Sequence, residues 1–164
     1  MRKRADSNPA EAPRQKRVPT VTLRVRAMRF LARREHSRAE LRVKLLPHVQ
    51  EGEDVDAVLD ELEKRNWLSD ARAAELIVST RRGRFGAQRI AHEMRQKGLS
   101  EDLVGQALPA LKESELEAAR EVWQKKFGVF PQNQKEKARQ ARFLQSRGFG
   151  MDVVMKVLRH DDPD

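Results

Sequence analysis

Arg89-Ile90-Ala91-His92-Glu93-Met94-Arg95-Gln96-Lys97-Gly98-Leu99-Ser100-Glu101-Asp102-Leu103-Val104-Gly105-Gln106-Ala107-Leu108 can be laid, without a gap, on a second stretch 50 residues further along. That stretch is Arg139-Gln140-Ala141-Arg142-Phe143-Leu144-Gln145-Ser146-Arg147-Gly148-Phe149-Gly150-Met151-Asp152-Val153-Val154-Met155-Lys156-Val157-Leu158. The arginine, the alanine, the basic residue before the glycine, the glycine, the apolar residue after it, the aspartate and the two later apolar pairs all coincide. Each copy reads as a helix, a glycine cap, a short turn and a second helix. Gly98 and Gly148 stand where a helix ends in a left-handed residue, with Lys97 and Arg147 placed to meet the negative end of the helix dipole.

Outward from this pair the period stays helical. Leu103, Val104, Ala107, Leu108 and Leu111 form one apolar stripe, and Ala87, Ile90, Ala91 and Met94 form another. No stretch alternates with period two over a useful length. Ser37-Arg38-Ala39-Glu40 has the form of a capping box, and Ser69, Asp70 and Ser100 are placed to cap further helices. The pattern predicts nine helices, near 22–34, 38–50, 54–66, 70–82, 87–97, 101–111, 114–127, 135–147 and 150–159.

A weaker third copy precedes the two. Leu41 and Leu45 match Ile90 and Met94, while Val58, Leu59 and Leu62 resemble Leu103, Val104 and Ala107; this copy lacks the glycine and has a longer connection from Pro47 to Asp54. Adding the helix before each pair gives three units of three helices, at 21–69, 70–113 and 114–160, behind a disordered basic arm at 1–20. Units so small cannot hide their apolar stripes alone. The expected fold is therefore all-α: three tandem three-helix repeats stacked into an elongated curved rod.

The composition agrees with an extended, surface-rich shape. Only 38% of residues are hydrophobic and 36% are charged, while Lys and Arg outnumber Asp and Glu by 34 to 25, a net charge of +9. Such an excess favours polyanionic partners. With no cysteine there is no disulfide and no thiolate chemistry. No apolar run approaches the roughly 18 residues that span a bilayer, so a cytoplasmic protein is expected.

The residues offer no catalytic constellation, and neither enzyme nor cofactor is expected. His36, His48, His92 and His160 are scattered without metal-ligand spacing. Glu51, Glu53, Asp54 and Asp56 cluster, which keeps open a metal-dependent nuclease, although helix starts favour acidic residues anyway. Gly83-Arg84-Phe85-Gly86 leads into a helix among Arg81, Arg82, Arg84 and Arg89. It reads either as an anion site built on free N–H groups or as a turn whose Phe85 plugs a core. Further basic residues recur around helix ends: Arg95, Lys97, Lys125, Lys126, Lys135, Lys137, Arg139, Arg142 and Arg147. With no Tyr, two Trp and six Phe, a base-stacking platform is not expected, and Trp67 and Trp123 are read as core. A partner-contact face of Arg81, Arg82, Arg84, Arg89, Arg139 and Arg142 follows from charge position alone.

Leu31 to Leu45, with Arg33, His36, Ser37, Glu40, Leu41 and Lys44, resembles the opening signature of the RecX family of RecA regulators. Trp67-Leu68-Ser69-Asp70-Ala71-Arg72 resembles its unit junction, the segment from Arg84 to Ser100 its most recognisable motif, and Arg142 to Phe149 its third-unit signature. Ala87 stands where the family commonly has proline and Ser69 where it commonly has an acid. The resemblance covers about residues 22 to 159. It implies a protein that lodges in the groove of the RecA filament on single-stranded DNA and inhibits strand exchange, ATPase and co-protease activity, by binding and without chemistry. A monomer is expected. Direct DNA binding by a stand-alone helical repeat is the alternative that the basic charge keeps open.

Overall fold

The computed structural model describes residues 20–159, so most of the expected basic arm and His160 lie outside the described residues. Among the described residues the chain forms nine α-helices and no strand. They are α1 (Leu23–Leu31), α2 (Arg38–Leu45), α3 (Val55–Lys64), α4 (Asp70–Arg81), α5 (Ala87–Gln96), α6 (Glu101–Glu113), α7 (Glu115–Lys126), α8 (Gln134–Ser146) and α9 (Met151–Leu158).

Local chemistry sets these boundaries. Thr22, Ser37, Asp54, Ser69, Ser100 and Asn133 each accept a backbone N–H of the helix they precede. Gly98 and Gly148 end α5 and α8 with φ of 73° and 85°, as the repeat predicts. In the first unit the corresponding helix stops earlier than expected. Pro47 turns its end into a short 3-10 segment, Leu46–His48, because proline cannot donate to the helical ladder. α6 runs two residues beyond the predicted end, to Glu113, and accommodates Pro109 on its exposed side. The capping box is only half formed: Ser37 Oγ accepts from Glu40 N at 3.0 Å, but the Glu40 carboxylate turns elsewhere.

Burial divides the chain into three separate cores. Leu23, Ala27, Leu41, Leu45, Val55, Leu59, Leu62 and Leu68 fill the first. Ile77, Ile90, Met94, Val104 and Leu111 anchor the second, and Trp123, Leu144, Phe149, Val154 and Leu158 the third. Trp123 is core, as expected, with its indole N–H donating to Gln140 at 2.7 Å. Trp67 is not. It stays 39% exposed, with the guanidinium groups of Arg24 and Arg65 over its ring at 5.8 and 5.2 Å.

The units meet at helix ends, and both joints have one design. Ser37, the cap of α2, donates its hydroxyl to the Lys97 carbonyl at the end of α5, and the Arg38 N–H donates to Asp70, first residue of α4, at 2.7 Å. One unit later, Gly86 N–H donates to the Arg147 carbonyl at the end of α8 at 2.9 Å, and the Ala87 N–H donates to Glu115, first residue of α7, at 3.0 Å. The middle helices α2, α5 and α8 thus follow one another cap to cap. The positive end of one dipole faces the negative end of the next, and a carboxylate from the following unit completes each junction.

The glycines permit this approach. A Cβ on Gly86 would overlap the Gly148 carbonyl, one on Gly148 would overlap the Arg89 Cβ, and one on Gly98 would overlap Ala39. Gly52 also has a positive φ, 81°, but faces open space. Gly52→Ala should therefore lose only the left-handed strain, about 1–2 kcal/mol. Gly148→Ala should lose that and a further ~1–3 kcal/mol from overpacking. Equal losses in chemical unfolding of the two variants would contradict the joint.

Candidate functional site

Each joint leaves a cleft beside it, formed by the loop before one middle helix, the first helix of the next unit, and that unit's middle helix. The first cleft, about 360 Å³, is lined by Arg34, Glu35, Ser37, Glu40, Ala73, Leu76, Ile77, Thr80, Arg81, Glu93 and Lys97. The second, about 280 Å³, is lined by Gly83, Arg84, Val122, Lys125, Lys126, Phe143 and Arg147. The positions correspond, but the charges do not. Glu35, two residues before the α2 cap, is answered by Arg84, two before the α5 cap. Glu40, third residue of α2, is answered by Arg89, third residue of α5, and Glu93, five before Gly98, by Phe143, five before Gly148. Three carboxylates become two arginines and a phenylalanine.

The first cleft consumes its charges internally. Arg34 forms a two-pronged pair with Glu40, and Lys97 reaches the same carboxylate at 3.4 Å. Burial raises the Glu40 pKa, but the Arg34 hydrogen bond and the positive charges of Lys97 and Arg34 outweigh it and bring it down to about 2. Arg81 binds Glu93 at 3.0 and 3.3 Å, and Arg72 binds Glu35 at 2.8 Å. Behind them His36 is 2% exposed, its ring accepting from or donating to Arg34 O and Lys44 Nζ, each at 3.0 Å. Lys44 is a donor, so Nε2 accepts and Nδ1–H donates to the carbonyl, which is the neutral ring.

The second cleft leaves its charges unspent. Among the described residues, Arg84, Arg89, Lys125, Lys126, Arg139 and Arg147 take part in no ion pair, and no carboxylate lines the cleft. All of them but Lys125 lie against aromatic rings instead. Arg84, Arg89 and Arg147 stand 6.0, 4.2 and 5.4 Å from the Phe85 centroid. Arg147 and Lys126 stand 5.3 and 5.7 Å from Phe143, and Arg139 stands 5.7 Å from Phe127. Each such contact is worth about 0.5–1 kcal/mol at an exposed site, enough to fix a side chain without cancelling its charge. A larger open groove of about 940 Å³ on the third unit has Glu113, Glu117 and Glu121 among its cations, so its charge is mixed.

The six arginines chosen by charge position therefore do not form one face. Arg84 lines the second cleft, and Arg89 braces it, donating to Ser146 O at 2.9 Å. Arg139 lies alongside on α8, while Arg142 and Arg82 are exposed and line neither cleft. Arg81 belongs to the first cleft, bound to Glu93. Lys125, Lys126 and Arg147, which line the second cleft, were not among the six. The signal for Arg147 was Arg139, Phe143 and Arg147 at four-residue spacing along one face of α8.

Other readings resolve as well. The N–H groups of Gly86 and Ala87 donate to Arg147 O and to a Glu115 carboxylate oxygen, so a carboxylate of this chain already sits at that helix start, and Phe85 packs half-buried against the second core. In the acidic cluster Glu53 accepts from Leu23 and Gln50 N–H, Asp54 caps α3, and Asp56 binds Arg42 at 3.1 Å. Among the described residues no group of His, Asp and Glu is arranged to hold a metal. No helix there is long and apolar enough to cross a membrane.

Three family models fit the chain in order: the first three-helix domain of RecX over residues 24–62, the second over 69–108 and the third over 113–158. The chain belongs to the RecX family. It is 49% identical to the regulatory protein RecX of Leptothrix cholodnii over 144 residues, covering 88% of this chain and 92% of that one. It is 42% identical to the RecX of Ralstonia pickettii over 142 residues, covering 87% and 89%. The fold matches the crystal structure of RecX from Lactobacillus salivarius with a TM-score of 0.69 at 16% identity, over 83% of this chain and 92% of that one. A second RecX crystal structure matches with a TM-score of 0.70 at 21% identity, over 82% and 70%. The α2 motif that resembles the family's opening signature thus builds the first joint, and the motif from Arg84 to Ser100 spans both joints.

The first cleft makes a pH prediction. Burial, with the positive charges of Arg34 and Lys44, lowers the His36 pKa against the opposing pull of the Arg34 carbonyl. A depressed histidine pKa contributes stability that is complete above about pH 6.5 and is lost as pH falls below it. The Glu40 contribution is lost separately, as pH falls from 4.5 through about 2. The unfolding midpoint should drop between pH 7 and 5, with His36→Gln flattening that slope; a slope unchanged by the substitution would contradict the neutral buried ring.

Proposed function

We propose that this chain binds the RecA filament assembled on single-stranded DNA and inhibits RecA's recombinase, ATPase and co-protease activities, acting in the cytoplasm as a monomer by binding alone. The reading joins family membership to one observation: the second cleft presents cations that no internal carboxylate neutralises, while the corresponding first cleft is internally paired. A filament of protein on DNA is a polyanion of regular pitch. A protein whose units repeat one joint can follow such a pitch over more than one unit, and thereby oppose filament growth or dislodge subunits. Damping of recombination, DNA repair and the SOS response would follow from that inhibition.

Sub-stoichiometric protein should lower RecA's DNA-dependent ATPase and strand exchange, and the inhibition should survive excess free single-stranded DNA. Absence of inhibition, or its complete removal by the competitor, would overturn the proposal; the latter result would favour a stand-alone DNA-binding repeat.

A further inference from the structure

Resting on that reading, we propose that the second cleft is occupied by the phosphodiester backbone of the single strand, gripped without regard to base sequence, and not by an acidic protein segment. Four features carry this. Arg84, Lys125, Lys126 and Arg147 converge on a cleft of about 280 Å³ that contains no carboxylate. A charge density of that kind suits a chain carrying one anion per nucleotide.

The aromatic groups, secondly, are already taken. Phe85 carries three guanidinium groups and Phe143 carries Arg147 and Lys126, with Phe127 edge-on at 5.3 Å. Rings that already hold cations of this chain are poor platforms for a base, so the contacts fall on the sugar-phosphate chain. Thirdly, a guanidinium held beside a ring, unlike one bound to a carboxylate, keeps N–H donors for an anion, and its planar fork matches two phosphate oxygens. Lastly, protein interfaces need apolar anchors at their centre, and with both rings covered only Val122 remains among the lining residues.

Binding of labelled oligo-dT and of a mixed-sequence strand to the full chain, followed by fluorescence anisotropy across a salt series, tests the assignment. The triple variant Arg84→Gln, Lys125→Gln, Lys126→Gln leaves every backbone bond of the joint in place. It should weaken both strands at least tenfold near 0.1 M salt and lower the salt slope by about 2, at about 0.7 per lost phosphate contact. The control Arg29→Gln, Arg33→Gln, Lys64→Gln removes the same net charge from exposed positions of the first unit and should change binding less than threefold. Wild-type affinities for the two strands should agree within about twofold.

Equal losses in the two triple variants, an unchanged slope, or a clear base preference would overturn the assignment. So would a cleft variant that loses inhibition of RecA and competition by poly-glutamate while binding DNA normally; that pattern would assign the cleft to acidic protein. Failure of the underlying reading looks different: cleft-dependent DNA binding would persist in a chain that does not inhibit RecA.

Discussion

Everything in this molecule depends on helix ends meeting helix ends. A helix terminus leaves backbone donors or acceptors without partners, and burying one is costly unless something answers it. Here the cap of each middle helix answers the last carbonyl of the next, and an acidic residue opening the following unit answers the first N–H. Gly86, Gly98 and Gly148 have no Cβ, and the approach requires that. Three separate cores are thus linked end to end, with one joint used twice.

Repetition then allowed divergence. A pair of equivalent clefts can share a backbone and differ in charge, since the charged side chains that line them make none of the cap-to-cap bonds. In the first, Glu35, Glu40 and Glu93 tie up Arg72, Arg34, Lys97 and Arg81. Individually such exposed pairs contribute roughly 0–1 kcal/mol, yet together they cancel the local field. In the second, arginine and phenylalanine at the corresponding positions orient the cations and leave their field intact. The net charge of +9 is thus less informative than its distribution: three carboxylates line the cleft at the first joint and none lines that at the second.

Fold was far more legible in the sequence than site. The 20-residue self-match and the glycines at 98 and 148 specified the units, because periodicity and caps are local properties. Helix ends slipped where Pro47 stopped α2 early and where α6, already expected to run through Pro109, continued to Glu113. The contact face was only partly legible. Arg81 and Arg84 are near neighbours in sequence, but Arg81 faces Glu93 and Arg84 faces the opposite cleft; the turn at Gly83 separates them, and linear charge density cannot show that. Lys125 and Lys126 read only as basic residues near a helix end, because the carboxylate-free cleft they complete is assembled from α7, α8 and the loop before α5. Trp67 looked like core for a similar reason, as nothing in its neighbours signals that Arg24 and Arg65 cover it outside.

On the proposed reading, the first of the two equivalent joints is structural and the second binds. The chain has no cysteine, so single introduced thiols can report on each cleft. Gly83 lines the second cleft with open space at its Cβ position, and Thr80, three residues away, lines the first. The direct measurement is the rate of thiol modification in Gly83→Cys and Thr80→Cys chains, with and without RecA filament on single-stranded DNA. Filament should slow modification at position 83 several-fold and leave position 80 within twofold of its free rate. Protection at 80 with none at 83, or equal protection at both, would contradict the account.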